Sequence, residues 1–270
     1  MIYLDWMIIL WGTIASLAAG FATALGALPV FFLKDISEKA LDILLGFAAG
    51  VMLAASAFSL LVPALSLPAN EGGGVWIVSG GVIIGVAFIA LIDKWAPHKH
   101  FVKGPEGKVS KRLAATWLFV IAITIHNFPE GLAVGVSFGQ GGENIVNGII
   151  VAMAIGLQNI PEGTAVAMPL LKEGYSRKKA FGIAAASGLV EPLGAFIGVA
   201  AVGVAQFFLG FGMAFAAGAM IFVVSDEIIP ETHRADKGFS RLATYGLVAG
   251  FVIMMFLDNF LEQFLAGILS

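Results

Sequence analysis

The chain has 270 residues, of which 59% are hydrophobic and only 12% charged, with a formal net charge of −3 and a mean hydropathy of +0.94. A soluble domain carries about a quarter charged residues, so too few charges remain here to cover a water-facing surface, and a soluble globular protein is excluded. The absence of cysteine excludes disulfides and thiolate metal sites.

Apolar runs of about 17–25 residues are long enough to cross a bilayer. In chain order they predict spans at 7–33, 43–67, 75–92, 113–138, 146–171, 180–205, 207–229 and 242–265. The first lacks the basic start and short apolar core of a cleavable signal, so it is read as a retained helix. The expected fold is an all-α integral membrane protein of eight transmembrane helices, a single transmembrane domain over 1–270 with a cytoplasmic loop at about 93–112. All 15 lysines and arginines fall between spans one and two, three and four, five and six, or seven and eight. Positive residues are retained in the cytoplasm, so these four loops are expected inside and both termini outside.

Two internal similarities organise the spans. FAAGVM (47–52) opens the second span and FAAGAM (215–220) lies in the seventh, two spans that the charge pattern runs in opposite directions. That predicts an inverted repeat, spans one to three against six to eight. HNFPEGLAV (126–134) and QNIPEGTAV (158–166) mark spans four and five as a central pair, which completes a 3+2+3 arrangement.

The central pair carries the chemistry. Pro129 and Pro161 lack the N–H that the carbonyls of Ile125 and Leu157 would accept from, so both helices are expected to break there, with Gly131 and Gly163 adding flexibility. His126 and Glu130 are four apart, as are Gln158 and Glu162, so each pair shares a helix face. Asn127 and Asn159 supply a second bank of oxygens, and Glu191 stands directly before Pro192 in span six as a third carboxylate with a third broken helix. Ionised carboxylates within a bilayer are costly, about 2.5–3.5 kcal/mol each even on insertion scales, and a bound cation would neutralise them. One imidazole, amides and three carboxylates form a mixed nitrogen and oxygen set suited to Zn²⁺, Fe²⁺ or Mn²⁺, whereas a calcium site uses oxygens alone.

Other polar residues sort by depth. Asp226, Glu227, Glu231 and His233, at the inner end of span seven, are a candidate exit path, with Glu227 the foremost. Asp258 and Glu262, near the outer end of span eight, are a candidate entrance. Ser56 and Ser59 in span two are small hydroxyls at helix contacts. His98 and His100 in the loop PHKHF make a weak candidate metal site in a solvated segment.

These residues resemble the ZIP (Zrt/Irt-like protein) family of divalent-metal transporters, most closely its short bacterial members. The resemblance rests on HNFPEG, QNIPEG, SGLVEP (187–192) and SDEIIPETH (225–233), and it covers essentially the whole chain. It implies a two-metal site midway across the membrane. His126, Glu130, Gln158 and Glu162 would form the first position, and Asn127, Asn159 and Glu191 would complete the second, with Glu130 and Glu162 bridging. Met52 matches a methionine that contributes to the first position in some relatives. Some bacterial relatives have aspartate where this chain has Asn159, which weakens the charge of the second position.

The expected function is transport of Zn²⁺, with Fe²⁺, Mn²⁺ and Cd²⁺ as further substrates, into the cytoplasm across a bacterial inner membrane. No organic cofactor, nucleic acid or enzymatic activity is expected, and family members are often homodimers. No GxxxxGK[ST] motif is present, so an ion or proton gradient would drive transport. A calcium or cation/proton exchanger is the nearer alternative, against which His126 argues. A membrane zinc hydrolase is more distant, since no HExxH is present and His126 is the one histidine within a predicted span.

Overall fold

The computed structural model describes residues 6–95, 111–139, 144–233 and 240–269. His98 and His100 lie outside them, and the side chain of Glu262 is likewise outside the described set. Among the described residues the fold is all helix. The elements are α1 (Trp6–Ala27), α2 (Glu38–Ala54), α3 (Val62–Ser66), α4 (Val75–Trp95), α5 (Lys111–Phe138), α6 (Asn144–Lys172), α7 (Arg177–Gly188), α8 (Glu191–Val204), α9 (Phe208–Val223), α10 (Ile229–Thr232) and α11 (Ser240–Leu269). Helices start where the sequence offers caps: Ser37 accepts from the Ala40 N–H at 3.2 Å to open α2, and Ser176 accepts from that of Lys179 at 3.3 Å to open α7.

Seven described segments are long and apolar enough to cross a membrane: Trp6–Phe31, Glu38–Ser66, Ala69–Ile92, Ile145–Lys172, Arg177–Val204, Phe208–Thr232 and Arg241–Leu261. Helix α5 is 28 residues long, about 42 Å at 1.5 Å per residue, which is enough to cross a bilayer; side chains in its first part lie outside the described residues.

Two backbone features differ from expectation and one agrees with it. Pro129 and Pro161 lie inside α5 and α6, which continue through them. The break expected beside Pro192 is present: Leu189 and Val190 separate α7 from α8 and proline takes the first turn of the new helix, a position that needs no N–H. Two π-helical stretches interrupt otherwise regular spans, Ala55–Leu61 after α2 and Val224–Ile228 after α9. Each follows one of the FAAGxM segments within a few residues.

The helices pack as four intimate pairs, α1 with α6, α5 with α8, α2 with α11 and α4 with α9. In each, small residues bring backbone onto backbone. A methyl group built on Gly46 would lie 2.3 Å from the Ala243 carbonyl oxygen and one on Gly50 2.0 Å from that of Leu247, so α2 and α11 run parallel. The same register recurs where Gly81 and Gly85 of α4 meet Phe211 and Phe215 of α9. Gly131 and Gly163 are not hinges. A methyl on either would stand 1.9 Å from a backbone oxygen, that of Glu191 or Thr23 respectively.

These pairs form two groups, α1, α5, α6, α7 and α8 against α2, α4, α9 and α11, which meet where α2 faces α6 and α5 faces α9. Side chains rather than backbones make that contact. Val51 and Ala54 of α2 and Met254 of α11 pack against Ile150 and Ala154 of α6, and Gly212 of α9 faces the Val136 side chain of α5.

Candidate metal-transport site

The polar residues of α5 and α6 face inward, and His126, Asn127, Glu130, Gln158, Asn159 and Glu162 are all buried, as is Glu191 at the start of α8. Helical spacing puts each His/Gln–Glu pair on one face, and the close approaches at Gly131 and Gly163 press those faces against α8 and α1. The break before Glu191 turns its side chain back among them.

Hydrogen bonds tie the set together across helices. Gln158 Nε2 donates to Glu130 Oε1 at 2.5 Å. Asn159 Nδ2 donates to Glu191 Oε1 at 2.7 Å and to the Ala19 carbonyl at 2.9 Å. Asn127 Nδ2 donates to the Ser187 carbonyl at 2.7 Å, next to the break. Each amide thus spends its N–H on the protein. Among the described residues, no hydrogen-bond donor reaches the oxygens Asn127 Oδ1, Gln158 Oε1, Asn159 Oδ1, Glu130 Oε2, Glu191 Oε2 or either Glu162 oxygen. Buried oxygens without donors are costly, and hard or borderline cations are what such oxygens recognise. Gln158 and Asn159 tie Glu130 and Glu191 to α6, which also carries Glu162, so three buried carboxyl groups share one region of the bundle.

Among the described residues, no three His, Asp or Glu side chains already converge as a finished metal site. Two features keep them apart. Amide donors hold Glu130 and Glu191, and His126 Nε2 lies 3.0 Å from Glu227 Oε2. That contact brings a residue of the expected exit path, raised on the Val224–Ile228 π turn, directly against the expected site.

The remaining expectations fall as follows. Met52 is buried in the main apolar cluster with Leu45, Leu60 and Ile155. Asp226 and Glu231 are half-buried. Both ring nitrogens of His233 are engaged, Nδ1 with Thr232 Oγ1 and the Ile229 carbonyl, Nε2 with Thr244 Oγ1. Ser59 Oγ donates to Asp258 Oδ1 at 2.5 Å, linking the π turn after α2 to α11. Ser56 is buried without a hydroxyl partner among the described residues. Asp42 is fully buried in α2 but has no place in the sequence expectation, because the predicted span begins at residue 43. A lone acid beside a long apolar run was the available signal.

Residues 96–258 match the profile of the family described as ZIP zinc transporter. The chain belongs to the ZIP family. It is 44% identical over 251 residues to the zinc transporter GufA of Myxococcus xanthus, covering 92% of this chain and 97% of that one. To the zinc transporter ZIPB of Bordetella bronchiseptica it is 47% identical over 247 residues, 90% and 79% of the two chains. The human zinc transporter ZIP11 matches at 37% identity, covering 87% of this chain and 93% of that one. As a ZIP protein the chain is a multi-pass membrane protein, and its family is one of transporters, not enzymes.

Proposed function

We propose that this ZIP protein carries divalent transition-metal ions, Zn²⁺ foremost, across a bacterial plasma membrane into the cytoplasm, as one transmembrane domain over 1–270. The observation that carries this reading is the buried bank of donor-free oxygens on Asn127, Glu130, Gln158, Asn159, Glu162 and Glu191, in a chain whose curated relatives are zinc transporters. Glu130 and Glu162, with His126, Gln158 and Met52, hold the first ion. Asn127, Asn159 and Glu191 complete a second position, and Asp226, Glu227, Glu231 and His233 lead the ion inward from it. Asp258 and Glu262 gather cations at the outer end.

The architecture proposed is eight spans in a 3+2+3 inverted repeat with both termini outside, α5 being the eighth span. Three observations support it. Exchanging spans one, two, three and four with six, seven, eight and five turns the pair α1–α6 into α8–α5, and α2–α11 into α9–α4, so the four observed pairs map onto one another. The two π turns occupy matching places after FAAGVM and FAAGAM. All lysines and arginines fall in alternate loops or at the helix ends beside them. Backbone-locked pairs within each helix group, against a side-chain contact between groups, suit rocking of one group on the other.

Uptake of radioactive zinc into liposomes containing the purified protein tests this, beside a Glu130→Ala/Glu162→Ala double variant. Saturable uptake by the native chain that is lost in a normally inserted variant is the expected result. Equal uptake by both would refute the site assignment.

A further inference from the structure

The α1–α6 pair is closed at one end and open at the other. Toward the C-terminal ends of both helices, a methyl on Gly26 would stand 2.0 Å from the Ile160 carbonyl oxygen, and Thr164 Oγ1 donates to the Gly26 carbonyl at 2.6 Å. Toward the N-terminal ends the helices splay. A methyl on Gly156 would have only Ala19 Cα at 3.7 Å and Ala22 Cβ at 3.9 Å for neighbours. Between them lies an apolar groove of about 330 Å³, lined by Ala15, Ala18, Ala19, Ala152, Met153 and Gly156 among others. Small residues normally draw membrane helices into contact. Here they stand on both walls and the walls remain apart.

The geometry points to this groove as the seat of a phospholipid acyl chain. Its rim is continuous with the outward apolar surface of both helices, where Ile14, Leu17 and Met153 are 46%, 45% and 50% exposed. In a ZIP protein that surface meets hydrocarbon, so the medium at the groove's mouth is the bilayer itself. The lining offers no hydrogen-bonding side chain, which suits a methylene chain and not a headgroup, and a void of this size left empty would forfeit its packing contacts. The floor touches the transport machinery, because Ala19 accepts through its carbonyl from Asn159, the residue that also holds Glu191. A seated chain wedges α1 against α6 one turn from Gln158 and Asn159.

The test is photolabelling of the full chain in phosphatidylethanolamine–phosphatidylglycerol vesicles doped with a phospholipid carrying a mid-chain diazirine, with labelled peptides mapped by mass spectrometry. Label concentrated on residues 15–19 and 149–156 is expected. It should be lost in Gly156→Leu and, from the opposite wall, in Ala18→Phe. It should persist in Ile83→Phe, which enlarges an exposed position on α4. Label spread evenly over the outward helices, or retained in both groove-filling variants, would overturn the assignment. So would an unlabelled groove with a Met153→Cys disulfide dimer, specific because the chain has no native cysteine, which would give the groove to a second copy. None of these readouts depends on transport, so the inference stands or falls apart from the proposed activity.

Discussion

His126 Nε2 lies 3.0 Å from Glu227 Oε2, so the imidazole at the centre of α5 contacts the carboxylate on the Val224–Ile228 π turn without an intervening residue. A metal ion at His126 must displace that carboxylate or share it. Glu227→Ala removes the competitor and, on the proposed path, the first inward step together. The expected outcome is a roughly tenfold lower maximal zinc uptake rate with a smaller change in the half-saturating concentration, read from uptake at varied zinc. An unchanged maximal rate would show that the contact has no part in transfer.

Asn159 joins α6 to α1 and α8 through two N–H bonds. Asn159→Asp keeps the shape, loses both donors and places a second carboxylate beside Glu191. We expect the variant to unfold at lower temperature than the native protein without zinc, and to gain more on zinc addition, since ligand binding stabilises by RT ln(1 + [L]/Kd). Thermal unfolding in micelles with and without zinc measures both. An equal zinc shift in the two proteins would remove Asn159 from the site.

Gly131 and Gly163 separate a packing role from a hinge role. A methyl at either position meets a backbone oxygen at 1.9 Å, and Gly131→Ala should cost about 3 kcal/mol, the upper part of the range for overpacking. Gly182, with open space around it, is the control. Its alanine variant should be neutral or stabilised by up to about 1 kcal/mol, as expected for glycine replaced within a helix. Unfolding curves of the two variants decide it, and a tolerated Gly131→Ala would contradict the tight α5–α8 crossing.

Met52 is buried among apolar side chains, so Met52→Leu conserves volume and should change stability by less than about 1.5 kcal/mol. A soft thioether favours soft ions. The expected result is a larger loss of Cd²⁺ uptake than of Zn²⁺ uptake. Equal retention of both would leave Met52 as packing alone.

The spans were legible because hydropathy over twenty residues is a bulk property that packing cannot alter. The predicted 146–171 and the observed α6 differ by two residues at most at either end. Charged and amide residues in an apolar run mark Glu130 and Glu162 as candidates for the same reason, and the structure buries both. Of the three expected helix breaks only the one at Pro192 is present. Loss of one N–H at Pro129 or Pro161 is a local deficit that the close crossings with α8 and α1 absorb, whereas Pro192 falls at a helix start and marks a real interruption. Asp42 was hidden by a boundary placed a few residues late. The π turns leave no signature in composition, and the Glu227–His126 contact depends on one of them.

The four tight helix pairs are all parallel, which has a consequence for biosynthesis. Helices adjacent in a membrane chain run antiparallel, so every tight partner here must come from elsewhere in the sequence. Helix α2 cannot close its glycine contacts until α11, the last helix, has left the ribosome. At about 5–20 residues per second, Gly50 waits on the order of 10 s or longer for its neighbours around Gly250. During that interval the early helices sit in the bilayer with unfilled grooves along Gly46 and Gly50. Premature termination before α11 should therefore yield inserted but incompletely assembled helices, exposed to membrane quality control.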